Sequence, residues 1–212
     1  MPEVIHATKL AILKATERLV AAKGFEATSM RAITAAARVN LAAVNYHFST
    51  KDELILAMLN RRLRPVNDER LALLDAYEQA AGTKPVPVEK ILDALFRPIL
   101  DAVSHRSKGG RALLRLLALA LAEPSAYLKP LVEKEFSEKT RRFHAALHRA
   151  LPALSDAEVH WRLHFAHGVF LHTVTNSQVL HCASHGRCRF DDFEAALRRI
   201  INFCAAGLRN AA

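Results

Sequence analysis

Asn40 and Thr50 both read as helix N-caps, and they stand only ten residues apart. An N-cap side chain accepts from one of the orphan amides that open a helix, so each cap fixes a helix start. "LAAVNYHF" follows the first and "KDELILAMLNRRLR" the second, so a helix of about two turns is all that fits between them. Thr50 with Glu53 completes the second start as a capping box. Just upstream, "TSMRAITAAARV" offers Thr28 as N-cap and Met30, Ile33 and Ala37 as an apolar stripe, which predicts another short helix ending near Arg38.

The same helical period runs through the rest. "TKLAILKATERLVAAKGF" repeats Leu10, Leu13, Leu19 and Val20 on one face before Gly24 stops it. Helix four runs to Pro65, which has no N–H to donate, so a kink or short break is expected before "VNDERLALLDAYEQAA". "GTKPVP" reads as a loop, "VEKILDALFRPILDAVS" as helix, Gly109-Gly110 as a turn and "RALLRLLALALAE" as helix again. Pro124 suits the first turn of a helix through about Ala150. Ser155 and Glu158 form a second capping box opening a helix to roughly His181, and a last helix spans 192 to 208. With 7 Gly, 8 Pro and no alternating Val, Ile and Thr runs, the expectation is an all-α fold of about nine helices. The expected domains are residues 1–50 as a three-helix unit, 51–64 as connecting helix four, and 65–212 as a larger helical domain.

Charge narrows the partner. The net charge is +9. Residues 1–64 hold 10 Lys and Arg against 5 Asp and Glu, a net of +5, while residues 65–212 hold 20 against 16, a net of +4. A denser positive charge in the first third suits nucleic acid. No apolar run approaches ~18 residues, so no membrane partner is expected, and the chain is expected to be cytoplasmic. Three cysteines, Cys182, Cys188 and Cys204, fit a reducing compartment better than a disulfide framework.

Two short helices joined by a tight turn match a helix-turn-helix reader, whose second helix enters the major groove of double-stranded DNA. Ile33, Ala37, Val39 and Val44 take the packing positions, leaving Leu41, Ala42, Ala43, Asn45, Tyr46 and His47 to the outer face. Lys51 lies at a helix start whose amides and dipole favour a phosphate. Tyr46, His47 and Ser29 can also donate to phosphate oxygens. Arg38 and Asn45, with Asn40 beside them, can hydrogen-bond bases, while Ala42 and Ala43 suit thymine methyls.

"TSMRAITAAARVNLAAVNYHFSTKDEL" resembles the N-terminal domain of TetR-type transcriptional regulators, most diagnostically in the aromatics at 46 to 48 and the capped Lys-acidic-acidic-Leu start. The resemblance covers about residues 8–60. It implies a helix-turn-helix domain and a larger domain that dimerises and holds a ligand, hence a homodimer on a palindromic operator. Arg38 stands where such proteins usually have Gly and must accept a left-handed backbone or shift the turn. Asn45 stands where an aromatic is common.

For the larger domain, Val159, Leu163, Ala166, Phe170 and Val174 on one helix and Phe193, Leu197 and Ile201 on the last are the expected dimer stripes. Leu95, Phe96, Ile99, His105, Arg115, Leu119, Trp161 and Phe165 are the candidate pocket for a small apolar effector. The stretches "RALLRLLALALAEP" and "WRLHF" are similar to fatty-acid-metabolism regulators within that family, which implies a fatty acid or acyl-CoA. No cofactor and no metal are expected. His181, Cys182, His185 and Cys188 are zinc-type donors, but their spacing is not that of a finger. Two other classes fit the sequence less well. Ser155, Asp156 and His160 hint at an enzyme, but capping explains the first two and no glycine elbow accompanies them. A helical module using its basic face on a protein or membrane leaves the twin caps unexplained.

Overall fold

The computed structural model describes residues 2–104, 109–122 and 137–210, with side chains at 2–4, 111, 120–122, 137 and 138 left aside. Among them are ten α-helices and no strand: α1 (Pro2–Lys23), α2 (Met30–Ala37), α3 (Leu41–His47), α4 (Lys51–Ala81), α5 (Val88–Val103), α6 (Gly110–Ala122), α7 (Ser137–Ala150), α8 (Asp156–Thr175), α9 (Ser177–Ala183) and α10 (Phe193–Arg209). No described helix is long and apolar enough to cross a membrane. The helix start expected at Pro124 and the pocket candidate His105 lie outside the described residues.

The helices divide into two compact units. The first comprises α1 to α3, α4 up to Arg64, and α6 from Arg111. Its core is Ile12, Val20, Phe25, Ile33, Val44, Phe48, Leu54, Ile55 and Met58, all buried. Glu17 of α1 meets Arg62 of α4 at 3.2 Å. Arg115 of α6 donates to the Ala22 carbonyl at 3.3 Å, tying α6 to α1.

The second unit comprises α4 from Pro65, α5 and α7 to α10. Its centre is α5, where Ile91, Leu92, Leu95, Phe96, Ile99 and Leu100 are buried and Phe96 stacks on Phe170 of α8 at 4.5 Å between ring centroids. The rim is clamped by ions: Arg209 of α10 on Glu89 at 2.6 Å, and Arg97 on Asp93 at 2.8 Å and on Glu194 at 2.6 Å. At the interior, Arg70 donates through Nε to the Leu95 carbonyl at 2.7 Å and through Nη1 to Asn67 Oδ1 at 3.2 Å. Lys139 donates to the same oxygen at 3.0 Å. Burial pushes the Arg70 guanidinium down to about 10. Burial, with Arg70 as neighbour, pushes the Lys139 ammonium down to about 6.

Three boundaries differ from the sequence expectation. Helix α2 is capped by Ser29, whose Oγ accepts from Ala32 N–H at 3.2 Å, because the Thr28 hydroxyl turns inward to the Gly24 carbonyl at 2.8 Å. Helix α4 continues through Pro65 instead of breaking. A mid-helix proline costs about 3 kcal/mol; burial of Leu63 and Val66 on either side offsets it. The long helix expected to reach His181 stops at Thr175, and Asn176 at φ −117 and ψ 26 separates α8 from α9. Thr173 and Thr175 each donate to the carbonyl four residues back at 2.7 Å, a back-bond that slightly destabilises the end of α8.

Candidate nucleic-acid interface

Helix α1 braces α2 and α3. Arg18 of α1 donates to the Ala36 carbonyl at 3.4 Å, at the end of α2 where the helix dipole is negative. Ile33 and Val44 bury completely between them. The turn between α2 and α3 adopts the first of the two options open to Arg38: its backbone is left-handed, at φ 56 and ψ 43. Arg38 N–H then bonds to Ala35 at 3.2 Å and Val39 N–H to Thr34 at 3.1 Å, closing the helix in the six-to-one, five-to-two pattern that normally calls for glycine. The Arg38 side chain remains exposed.

Asn40 Oδ1 accepts from Ala43 N–H at 2.7 Å and starts α3. From there the helix divides by burial. Leu41, Ala42, Asn45 and Tyr46 are exposed, Tyr46 at 73 %, while Ala43 and His47 are half-buried and Val44 is at 0 %. Tyr46 and His47 meet edge to face at 5.2 Å between centroids, which holds the phenol at the margin of this surface. Phe48 is buried behind them, with Lys9 Nζ over its ring at 5.6 Å from the centroid. The Thr50 capping box forms: Thr50 Oγ1 accepts from Glu53 N–H at 3.1 Å, and Glu53 reaches one residue further back than usual, to Ser49 N–H at 2.9 Å. Lys51 donates to the Glu26 carbonyl at 3.2 Å, which anchors its ammonium between the α1–α2 loop and the start of α4. Ser29 is exposed at the start of α2. The first unit thus gathers three capped helix starts, at Ser29, Asn40 and Thr50, with Lys51, Arg38 and the donors Asn45 and Tyr46. Such a set is built to take anions and groove edges.

The sequence candidates of the larger domain fall differently. Val159, Leu163, Ala166, Phe170 and Val174 are all buried within the single chain, as are Leu197 and Ile201, and Phe193 is half-buried. Side chains already covered by their own chain have no surface to give a partner, so these stripes are core. The exposed faces of the same helices carry Trp161, Phe165 and Phe203, at 57 %, 58 % and 68 %. Trp161 and Phe165 lie 5.7 Å apart between ring centroids. Those two therefore do not line an interior pocket. Leu95, Phe96 and Ile99 are closely packed core, while Arg115 and Leu119 belong to the other unit.

What the sequence did not reveal is a cavity of about 370 Å³ formed by α8, α9, α10 and the loop before α10. Val169, Leu180, Phe190, Ile200 and Phe203 make its apolar wall, and Arg187, Arg189 and Arg199 also line it. The loop residues come to α8 only in the fold, so no spacing announces it. His181, Cys182, His185 and Cys188 are spread over the end of α9 and a turn where His185 is left-handed at φ 51; both cysteines are exposed.

Residues 12–58 match the family model described as bacterial regulatory proteins, tetR family, and residues 93–207 match the model described as tetracyclin repressor-like, C-terminal domain. Among solved structures, a TetR family transcription regulator from Marinobacter aquaeolei VT8 aligns over 97% of both chains at 17% identity with a TM-score of 0.62. A putative tetR family regulator from Shewanella sp. PV-4 aligns over 96% of both at 16% identity and TM-score 0.64. The multidrug binding protein EbrR, complexed with imidazole, aligns over 96% of both at 19% identity and TM-score 0.56. At such identities the likeness establishes the fold. No curated protein sequence gives a significant match.

Proposed function

We propose, from the premise that the chain belongs to the TetR family of DNA-binding transcriptional regulators, that it is a homodimeric, cytoplasmic repressor released from a palindromic operator by a small apolar effector. The observation that carries the DNA-binding part is the division of α3, with Val44 fully buried while Leu41, Ala42, Asn45 and Tyr46 face solvent. In this reading Ser29, Tyr46, His47 and Lys51 hold phosphates and set the register. Asn45, Arg38 and the amide nitrogen of Asn40 address base edges, and Ala42 and Ala43 lie against thymine methyls.

A two-fold dimer presents two reading helices about 34 to 36 Å apart, one helical turn of DNA. Trp161, Phe165 and Phe203 are the surface that supports such a dimer here, since exposed aromatics are enriched at interface cores. For the effector, a fatty acid or acyl-CoA suits the cavity at α8 to α10, with an apolar wall for the chain and three arginines for the acid or phosphates. Release requires that the effector favour the non-binding conformer by only about 1 to 3 kcal/mol.

Fluorescence anisotropy with DNA from upstream of its own gene tests the reading. Selective binding over scrambled DNA is expected, with log affinity falling against log salt by about 0.9 per neutralised phosphate. Equal affinity for scrambled DNA would favour a basic binding module instead. Added palmitoyl-CoA is expected to release the selective complex, and Arg187→Ala with Arg199→Ala to blunt that release.

A further inference from the structure

We propose that His144, Asp156 and His160 form a divalent transition-metal site, with Zn²⁺ the ion that fits, between the end of α7 and the start of α8. Each residue offers one donor atom, and the three atoms lie within 4.8 Å of one another. His144 Nε2 is 3.4 Å from Asp156 Oδ1, and His160 Nε2 is 3.8 Å from Asp156 Oδ2. The two imidazoles stack at 4.1 Å between centroids and 28° between planes, so both rings bring a nitrogen to the same carboxylate. Zinc bonds of about 2.0 to 2.1 Å in tetrahedral geometry place neighbouring donors about 3.4 Å apart. Each imidazole lies close to that spacing from one oxygen of Asp156, and side-chain rotations must bring the remaining donor separations, all within 4.8 Å, down to it.

The donor set selects the ion. Two imidazole nitrogens and one carboxylate oxygen suit Zn²⁺, Ni²⁺ or Cu²⁺ and not Ca²⁺ or Mg²⁺, which demand oxygen. The supports are firm. Asp156 and His160 are one turn apart on α8, whose start is fixed by Ser155 accepting from Glu158 N–H at 3.2 Å. Glu158 does not return the favour of a capping box; its carboxylate accepts from Arg162 at 3.0 Å and stays out of the cluster. His144 lies near the middle of α7, and Asp156 in the first turn of α8 counters the positive start of that helix. Asp156 and His160 are exposed and His144 half-buried, so an ion reaches the site from solvent. The ion would join two helices across the 151–155 turn. Nothing in this inference depends on the regulator reading.

The test uses the full chain, free of affinity tag, stripped of metal and kept reduced, with Zn²⁺ titrated against a chromophoric chelator. One Zn²⁺ per chain is expected. His160→Ala and Asp156→Asn are each expected to weaken binding at least about tenfold, while Cys182→Ser with Cys188→Ser leaves it unchanged. Zn²⁺ is also expected to raise the melting temperature of the native chain and not of the two site variants. Both substituted side chains are exposed, and circular dichroism verifies that each variant stays folded. No saturable binding, binding indifferent to both site variants, or binding that follows the cysteine pair would each overturn the proposal.

Discussion

Val39 donates its backbone N–H to the Thr34 carbonyl at 3.1 Å, and it does so only because Arg38 between them sits in the left-handed region at φ 56. For a residue with a Cβ that conformation costs about 1 kcal/mol or slightly more. Arg38→Gly relieves that cost but frees the unfolded chain by about 0.4 to 1 kcal/mol, so a stability gain of at most about 1 kcal/mol is expected in thermal or urea unfolding. If the guanidinium meets DNA, the same variant loses operator affinity severalfold, so stability and binding move in opposite directions. A variant that gains stability and keeps full affinity would remove Arg38 from the reading surface.

Lys51 and Tyr46 both border the reading helix, but one carries charge and the other does not. Lys51→Gln is expected to weaken binding to every DNA sequence alike and to lower the salt slope by about 0.9. Tyr46→Phe should lose affinity with the slope intact, because a neutral donor releases no counterion. Anisotropy titrations at three salt concentrations separate the two.

His167 carries an acid-sensitive share of stability. Its ring lies edge-on to Phe96 at 6.0 Å between centroids and its Nδ1 is 2.8 Å from the Leu163 carbonyl. Burial, against the opposing pull of that carbonyl and with help from Arg70 and Lys139, pushes the imidazole down to about 4. An unfolded histidine takes its proton below about 6.5. Between those values the unfolded chain binds more protons, so stability falls as pH drops from about 6.5 to about 4. At about 1.4 kcal/mol per unit the whole shift is worth at most about 3.4 kcal/mol. His167→Gln should flatten that part of the pH–stability curve, read from urea midpoints at pH 7 and pH 4.5.

Trp161→Glu with Phe203→Glu places charge on the exposed aromatic face of α8 and α10. Sedimentation is expected to show a dimer for the native chain and a monomer for this variant, with palindromic DNA binding lost and unfolding little changed. By contrast Phe170→Ala, in the core against Phe96, should cost about 3 to 5 kcal/mol.

The helix-turn-helix was legible because its signals are local: Asn40 and Thr50 each bond an amide three residues on, which spacing alone reveals. Thr28 and Ser29 show the limit, since either hydroxyl could cap α2 and only the inward bond of Thr28 to Gly24 decides. On α8 the regular stripe from Val159 to Val174 marked the buried side faithfully, but nothing in a periodicity says whether burial comes from the same chain or a second one. Trp161 and Phe165, off that stripe, are what the chain leaves uncovered. His144 belongs to another helix from Asp156 and His160, so their convergence exists only after folding.

Asn67 is a small residue with a large mechanical role. Its single side-chain oxygen receives Arg70 and Lys139, and Arg70 also holds the Leu95 carbonyl, so α4, α5 and α7 are keyed together at one point. Sliding α7 by one helical turn, about 5.4 Å, would break the Lys139 bond, sliding α5 the Leu95 bond, and sliding α4 both of them. The interior of the second unit therefore resists a slide of these helices past one another, because each slide gives up a buried polar contact at Asn67 or Arg70.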